Sequence, residues 1–246
     1  MGDRRERASE RAERLLIERM LDGTYPPGTT LPGERDLARE LGTARPALRE
    51  ALQRLARDGW LNIQQGKSTE VNDYMRDGSL NVLSGLMQAD LSLLPDFVPN
   101  LLEMWSLIAP TYTRAAVECG PRAVHEQLYG YRGLADRPGP YARAQWRLHR
   151  LLIWLSGNPV YGLVLNGFRD FYIRLARLYY TDPARRAEAR DFWRALYEAA
   201  LLVDGERAAS LMWEYMQATR RRWPELDVAG WLEDEQNEAE DLDEEP

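Results

Sequence analysis

Tyr25-Pro-Pro-Gly-Thr-Thr-Leu-Pro-Gly-Glu-Arg-Asp-Leu-Ala-Arg-Glu-Leu-Gly42, followed after Thr43-Ala44 by Arg45-Pro-Ala-Leu-Arg-Glu-Ala-Leu-Gln-Arg-Leu-Ala-Arg-Asp-Gly-Trp60, decides the fold of the first third of the chain. Two prolines and Gly28 break any helix at its start. Glu34 to Leu41 then reads as one short helix, stopped by Gly42 in the position that favours a left-handed cap. Thr43 is a candidate N-cap for a second helix, Pro46 is tolerated in its first turn, and Leu48, Ala51, Leu52 and Leu55 form its apolar stripe. Gly59 ends it.

Working outward, Glu6 to Leu21 carries Leu15, Leu16, Met20 and Leu21 at helical spacing ahead of this pair. Behind it, Leu61 and Ile63 alternate on one segment and Val71 lies opposite, with Gln64-Gln-Gly-Lys-Ser68 between, which predicts a small β-hairpin. Helix, helix, tight turn, helix, hairpin is a helix-turn-helix with a wing. From Ser79 to Trp223 the apolar residues recur every three or four. Pro95, Gly120-Pro121, Arg137-Pro-Gly-Pro140, Gly157-Asn-Pro159, Asp182-Pro183 and Asp204-Gly205 divide that stretch into at least six helices. The expected architecture is mainly α: a winged helix-turn-helix at residues 1–72, a helical linker at 73–95 with Leu80, Leu83, Leu86 and Met87 on one face, an all-helical bundle at 96–232, and an acidic disordered tail at 233–246.

Charge and composition narrow the function. The 246 residues carry a net charge of −7, which looks wrong for a nucleic-acid binder. Nine acids and no base lie between Glu233 and the end, so setting them aside leaves the remainder at +2. Lys67 is the only lysine among 32 basic residues. Cys119 is the only cysteine, which excludes an intrachain disulfide and fits a reducing compartment. The charged amino terminus lacks the apolar region of a signal peptide. The longest apolar runs, Leu151–Leu155 and Ala199–Val203, fall far short of the roughly 18 residues a bilayer span needs. A soluble cytoplasmic protein with no membrane association is expected.

Catalysis has little to stand on. His125 and His149 are the only histidines, no nucleophile elbow, phosphate loop, dinucleotide-binding glycine pattern or zinc-protease motif appears, and no catalytic residue is assigned. Cys119 reads as an inert thiol. A helical enzyme that uses the winged part for protein contacts is the rival reading. DNA binding is better supplied: Arg45 and Arg49 are four apart and project from one face at the start of the second helix, and Arg35 lies on the preceding one. A guanidinium fork can hold guanine O6 and N7 together, and the first turn of a recognition helix is what reaches base edges. In the wing, Gly66 offers no side-chain obstruction and Lys67 a charge for phosphate or the minor groove.

The strings Pro-Gly-x-x-Leu-Pro-x-Glu-Arg-x-Leu-Ala and Arg-x-x-Leu-Arg-Glu-Ala-Leu-x-x-Leu resemble the winged helix of the GntR family of bacterial regulators. Trp60-Leu-Asn-Ile-Gln-Gln-Gly-Lys67, Ser79-Leu-Asn-Val-Leu83 and Ser156-Gly-Asn-Pro-Val-Tyr-Gly-Leu-Val-Leu-Asn-Gly167 are similar to the fatty-acid-metabolism branch of that family, from about Arg14 to Trp223. The resemblance implies a homodimeric repressor and activator of lipid genes, bound to palindromic double-stranded operator DNA and released by long-chain fatty acyl-CoA, with no cofactor. A GntR repressor answering to a different small carboxylate is the alternative.

Carried over by position, Arg35, Arg45 and Arg49 read bases, and Gly66 and Lys67 serve the wing. Ala44, Pro46 and Ala47 stand where hydroxyl residues occur in the relatives, and Gln65 where a histidine does, so some phosphate hydrogen bonds are lost at these DNA-contacting positions. Metal-sensing members have an aspartate and three histidines at positions that correspond here to Gln145, His149, Trp193 and Tyr215. One imidazole cannot complete a coordination shell, so no metal is expected, His149 becomes a packed or hydrogen-bonded cavity residue, and aromatics at these positions suit an acyl chain. The effector site implied is Leu102, Trp105, His149, Tyr172, Tyr179, Trp193, Tyr215, Thr219 and Trp223. For the stripe Tyr215, Thr219 and Trp223, ordinary core packing is an equal reading. Trp105, Trp213 and Met216 replace basic or small residues, leaving Arg220, Arg221 and Arg222 as nearby charge for CoA phosphates.

Overall fold

The computed structural model describes residues 7–87, 89 and 94–226; the acidic segment 233–246 lies outside them. The chain divides into two units, Met1–Leu94 and Pro95–Pro246. In the first, α1 (Ala8–Leu21) opens with the Glu10 carboxylate accepting the Arg7 backbone N–H at 3.0 Å. Its buried face is Ala12, Leu16, Ile17 and Met20, whereas Leu15 and Leu21 are half-buried. The inward stripe is thus rotated from the one read in the sequence. Next come α2 (Glu34–Glu40) and α3 (Arg45–Asp58), and α3 buries Leu48, Ala51, Leu52 and Leu55 against α1 and α2. Gly42 turns the chain at φ +61°, as its position predicts. Thr43 is not the cap: Ala44 occupies that position in extended conformation, while the Thr43 backbone N–H bonds the Ala38 carbonyl at 3.0 Å.

The wing pairs β1 (Leu61–Asn62) with β2 (Glu70–Val71) in antiparallel register, Leu61 opposite Val71. The ladder ends at Asn62, so Ile63 leaves the inner face and is 46% exposed, contrary to the alternation read in the sequence. The proline-glycine loop supplies a third edge: Gly28 donates to the Val71 carbonyl at 2.8 Å, Val71 to Thr29 at 2.9 Å, and Leu31 to Thr69 at 2.8 Å. Beyond the wing, α4 (Tyr74–Asp77) and α5 (Leu80–Leu86) fold back, and α5 packs on α1 and α3. Its buried residues are Val82, Gly85 and Leu86, with Met87 following; Leu80 is 69% exposed and so is not part of the face assigned to it. Gly85 permits this docking, because a Cβ there would sit 2.7 Å from Ile17 Cδ1 and 3.1 Å from the buried Trp60 indole.

Among its described residues the regular structure of the second unit is helical: α6 (Phe97–Cys119), α7 (Pro121–Tyr129), α8 (Pro138–Leu155), α9 (Pro159–Gly167), α10 (Arg169–Tyr179), α11 (Pro183–Leu201) and α12 (Gly205–Arg222), with 3-10 turns at Gly130–Gly133 and Trp223–Glu225. The predicted breakers are helix starts. Pro121, Pro138, Pro159 and Pro183 occupy first turns, where a missing N–H costs nothing. Asn158, Asp182 and Asp204 accept the N–H groups of Val160, Ala184 and Arg207 at 3.0, 2.8 and 2.9 Å. Pro110, by contrast, sits inside α6 without ending it. The α6 and α12 helices form the principal contact, α8 packs on α6 and α10, and α7 and α12 pack on α11. The architecture is therefore a winged helix-turn-helix with a two-stranded hairpin, followed by a helical bundle. Among the described residues no helix is long and apolar enough to cross a membrane.

Candidate functional sites: an arginine face and an apolar cavity

At the amino end of α3, Ala44, Arg45, Pro46 and Arg49 are exposed and Ala47 is half-buried. Because α3 buries the Leu48 face against the unit, Arg45 and Arg49 are left on the outer one, with side chains 56% and 58% exposed. Both lean on a residue the sequence reading passed over. Glu34, first in α2, places Oε2 2.7 Å from Arg49 Nε and 3.8 Å from Arg45 Nη2. The signal for it was an acid opening the helix immediately before an arginine-led one. Pairing through Nε leaves both terminal nitrogens of Arg49 free to fork onto a base edge. Arg35 projects further, its Nε 3.7 Å from Asp36. In the wing Gln65, Gly66 and Lys67 are all exposed, the Lys67 N–H closes a turn on the Gln64 carbonyl at 3.1 Å, and Gly66 takes φ +77°. A side chain at Gly66 would be strained, so the loop tip stays bare beside a lysine with no charged partner among the described residues.

In the second unit, α6, α8, α9, α10 and α12 enclose an apolar cavity of about 80 Å³. Leu102, Trp105, His149, Tyr172, Tyr179, Tyr215, Thr219 and Trp223 all line it. Trp193 does not. Its indole N–H donates to Gln145 Oε1 at 2.7 Å and its ring stacks on Tyr141, so it stands one layer back, holding a residue that does reach the cavity. Tyr112, Gln145 and Tyr180 line the cavity and were not assigned to it in the sequence, since Tyr112 and Tyr180 belong to no motif and Gln145 figured only as a lost metal position.

Five of the polar side chains in this wall bond to one another. Tyr112 Oη lies 2.6 Å from His149 Nδ1, and Gln145 Nε2 lies 3.2 Å from His149 Nε2. Tyr180 Oη and Tyr215 Oη are 2.7 Å apart, with Phe192 stacked on the Tyr215 ring at 4.3 Å. Behind them the buried Arg186 guanidinium donates to the Tyr180 carbonyl at 2.6 Å, the Thr181 carbonyl at 3.0 Å and Asp136 at 2.8 Å. Burial lowers His149 to about 4 and holds the Tyr112, Tyr180 and Tyr215 phenols well above their ordinary range. At neutral pH these lining groups carry no charge.

The four positions that would hold a metal are occupied by Gln145, His149, Trp193 and Tyr215, and the first three are joined by hydrogen bonds. No group of three or more histidine, cysteine or acidic side chains suited to a metal occurs among the described residues. At the end of α12, Arg220 pairs with Glu103 at 2.6 Å and Arg222 with Glu188, so two of the three arginines expected to supply charge are already engaged. Met216 lines the cavity beside Trp105, while Trp213 is half exposed and does not.

Comparison with known proteins matches both units. Residues 8–71 match the family described as bacterial regulatory proteins, gntR family, and residues 72–229 match the FadR C-terminal domain. The chain is 40% identical over 194 residues, 79% of its own length and 80% of the relative's, to the fatty acid metabolism regulator proteins of Escherichia coli O1:K1 / APEC and Shigella boydii serotype 18. A solved structure titled as Lar, which controls the expression of the Listeria monocytogenes agr system, shares the fold with a TM-score of 0.52 at 16% identity, covering 89% of this chain and 98% of that one. These curated relatives are regulators and not enzymes. The two family matches together cover both the winged unit and the helical bundle, and the chain belongs to the FadR branch of the gntR family of bacterial regulatory proteins.

Proposed function

We propose that this protein regulates the genes of fatty-acid metabolism, binding palindromic operator DNA as a homodimer and leaving it when a long-chain fatty acyl-CoA binds. In this reading residues 1–72 bind DNA, with α3 in the major groove and the Gly66-Lys67 wing at the backbone or minor groove, and residues 96–232 sense the effector. Arg35, Arg45 and Arg49 read bases; Ala44, Pro46, Ala47 and Gln65 contribute shape but no charge. Repression of degradation genes and activation of biosynthetic ones then follow from where the operator lies.

One observation carries the effector class: the cavity is lined almost wholly by apolar and aromatic side chains, and Tyr112, Gln145, His149, Tyr180 and Tyr215 hydrogen-bond among themselves with no charged group between them. That environment favours hydrocarbon and disfavours a sugar acid or amino acid. Ligand sites commonly span about 300–1,000 Å³, and the smaller volume of about 80 Å³ here supports a reading in which α6, α10 and α12 give way as an acyl chain enters. A ligand that binds the opened bundle shifts the population toward it, and DNA that binds the closed form is released.

The test is retardation of a fatty-acid gene promoter fragment with and without oleoyl-CoA. Loss of the retarded band at micromolar oleoyl-CoA, with CoA alone inert, is the expected result. Release by a sugar acid or amino acid, with acyl-CoA and free fatty acid inert, would overturn the effector while leaving the family intact.

A further inference from the structure

The polar residues at the α6–α8 side of the cavity form a chain whose hydrogen positions follow by elimination. Indole Nε1 is a donor only, so the atom of Gln145 that faces Trp193 at 2.7 Å is the oxygen. The amide nitrogen of Gln145 is thereby turned to His149, 3.2 Å from Nε2. An amide nitrogen donates and does not accept, so Nε2 of the neutral imidazole presents its lone pair and the ring hydrogen resides on Nδ1. That hydrogen points at Tyr112 Oη, 2.6 Å away. The phenol oxygen is the acceptor in this bond, and its own hydrogen is left over. No other hydrogen-bond partner for Tyr112 occurs among the described residues, although the side chain is fully buried. Tyr112, Gln145 and His149 all line the cavity, so the unspent donor sits on a side chain that borders the ligand's space.

We infer that Tyr112 is the residue by which the cavity recognises an acceptor oxygen on an otherwise apolar acyl ligand, and that Trp193, Gln145 and His149 are positioning residues that hold its hydrogen free. The inference deepens the proposed function and rests on it. A buried hydroxyl with an unmet hydrogen is unfavourable in the empty protein, and an sp² or hydroxyl oxygen entering the cavity relieves it, whereas a methylene there does not. The oxygen has two possible sources, the acyl carbonyl next to sulfur or a polar substituent along the chain.

Calorimetry on the full-length protein and its Tyr112→Phe variant separates them, using palmitoyl-CoA, its thioether analogue S-hexadecyl-CoA, and 16-hydroxypalmitoyl-CoA. Loss of about tenfold in affinity for palmitoyl-CoA on Tyr112→Phe, with the thioether unaffected, identifies the carbonyl as the acceptor. Loss of about tenfold for the hydroxylated chain alone identifies a chain oxygen. Equal effects of the substitution on all three ligands would overturn the inference and leave the acyl-CoA reading standing. No binding of any of the three to the unaltered protein would overturn both. A measurement without ligand keeps the test independent of how the variant folds: long-range ¹⁵N–¹H correlation of His149, assigned with a His125→Gln variant, is expected to show the hydrogen on Nδ1. Trp193→Phe is expected to move part of it to Nε2 and to reduce the discrimination between palmitoyl-CoA and its thioether. A hydrogen on Nε2 in the unaltered protein would overturn the relay.

Discussion

Replacing Arg45 or Arg49 by alanine tests the DNA-reading face with magnitudes the geometry supplies. Each side chain is more than half exposed, and each leans on the same Glu34 carboxylate. Exposed ion pairs contribute about 0–1 kcal/mol, so either substitution leaves the thermal transition of the winged unit almost unmoved. Loss of a forked contact to guanine costs about 1–3 kcal/mol, which is a factor of about 5–150 in affinity. In a two-fold dimer the change occurs at both half-sites, so the loss for a palindrome is at least about 25-fold. Fluorescence anisotropy with a labelled promoter duplex and a scrambled duplex of equal length reads both terms. The specific duplex loses affinity and the scrambled one changes little. Lys67→Ala provides the contrast: it weakens both duplexes alike and lowers the salt slope by about 1. Unchanged affinity of Arg45→Ala or Arg49→Ala for the promoter, with an intact circular-dichroism melt, would refute the recognition-helix assignment.

Other consequences follow from single contacts. Glu34→Gln releases Arg49 Nε from its carboxylate and removes a negative charge from the same face; scrambled DNA is expected to bind more tightly and the ratio of specific to scrambled affinity to fall, measured in the same anisotropy assay. His149 is held near 4 against an ordinary value of 6.5, so the unfolded chain binds the extra proton first. The stabilisation is fully present above pH 6.5 and is lost as pH falls toward 4, about 3 kcal/mol in all, and denaturant titrations of His149→Gln should lack that segment of the pH profile. Arg186→Met leaves the Tyr180 and Thr181 carbonyls without their donor and Asp136 without its pair; a loss of about 2–4 kcal/mol in urea unfolding is expected, with the cavity wall at Tyr180 and Tyr215 loosened.

Much of the fold was legible because its signals are local. Gly42, the proline-led helix starts and the Leu48–Leu55 stripe each answer to backbone geometry or a single period, and each appears where the sequence places it. The misplacements came from tertiary competition. Thr43 is a good cap by type, yet its backbone is committed to closing α2, so an alanine holds the position. Leu80 reads as apolar stripe but lies outside the face that Gly85 brings against Trp60 and Ile17, a close approach that a glycine in a helix does not advertise. Thr29 and Thr30 contribute a third edge to the wing from 40 residues away, and no pairwise pattern in either segment announces it.

The sites divide the same way. Arg45 and Arg49 were readable from spacing alone, but the Glu34 carboxylate between them required the angle between two helices. Eight cavity residues were reached through family position. Trp193 was misassigned because occupying a former ligand position does not fix on which layer a larger side chain settles. Tyr112 and Tyr180 become cavity residues only when α6 and α10 are packed, since each sits in a stretch with several equivalent aromatics.

The central claim is that acyl ligand and operator DNA compete through the conformation of one protein and not by destroying it. Coupling of that kind is reciprocal: whatever factor oleoyl-CoA takes from DNA affinity, operator DNA takes from oleoyl-CoA affinity. Calorimetric titration of oleoyl-CoA into the free protein and into the protein saturated with promoter duplex measures it directly. The account predicts a weaker Kd in the presence of DNA, by the same factor, in the range of about 5–150, that oleoyl-CoA imposes on DNA binding in anisotropy. An oleoyl-CoA Kd that is identical with and without operator, while oleoyl-CoA still strips the protein from DNA, would contradict it.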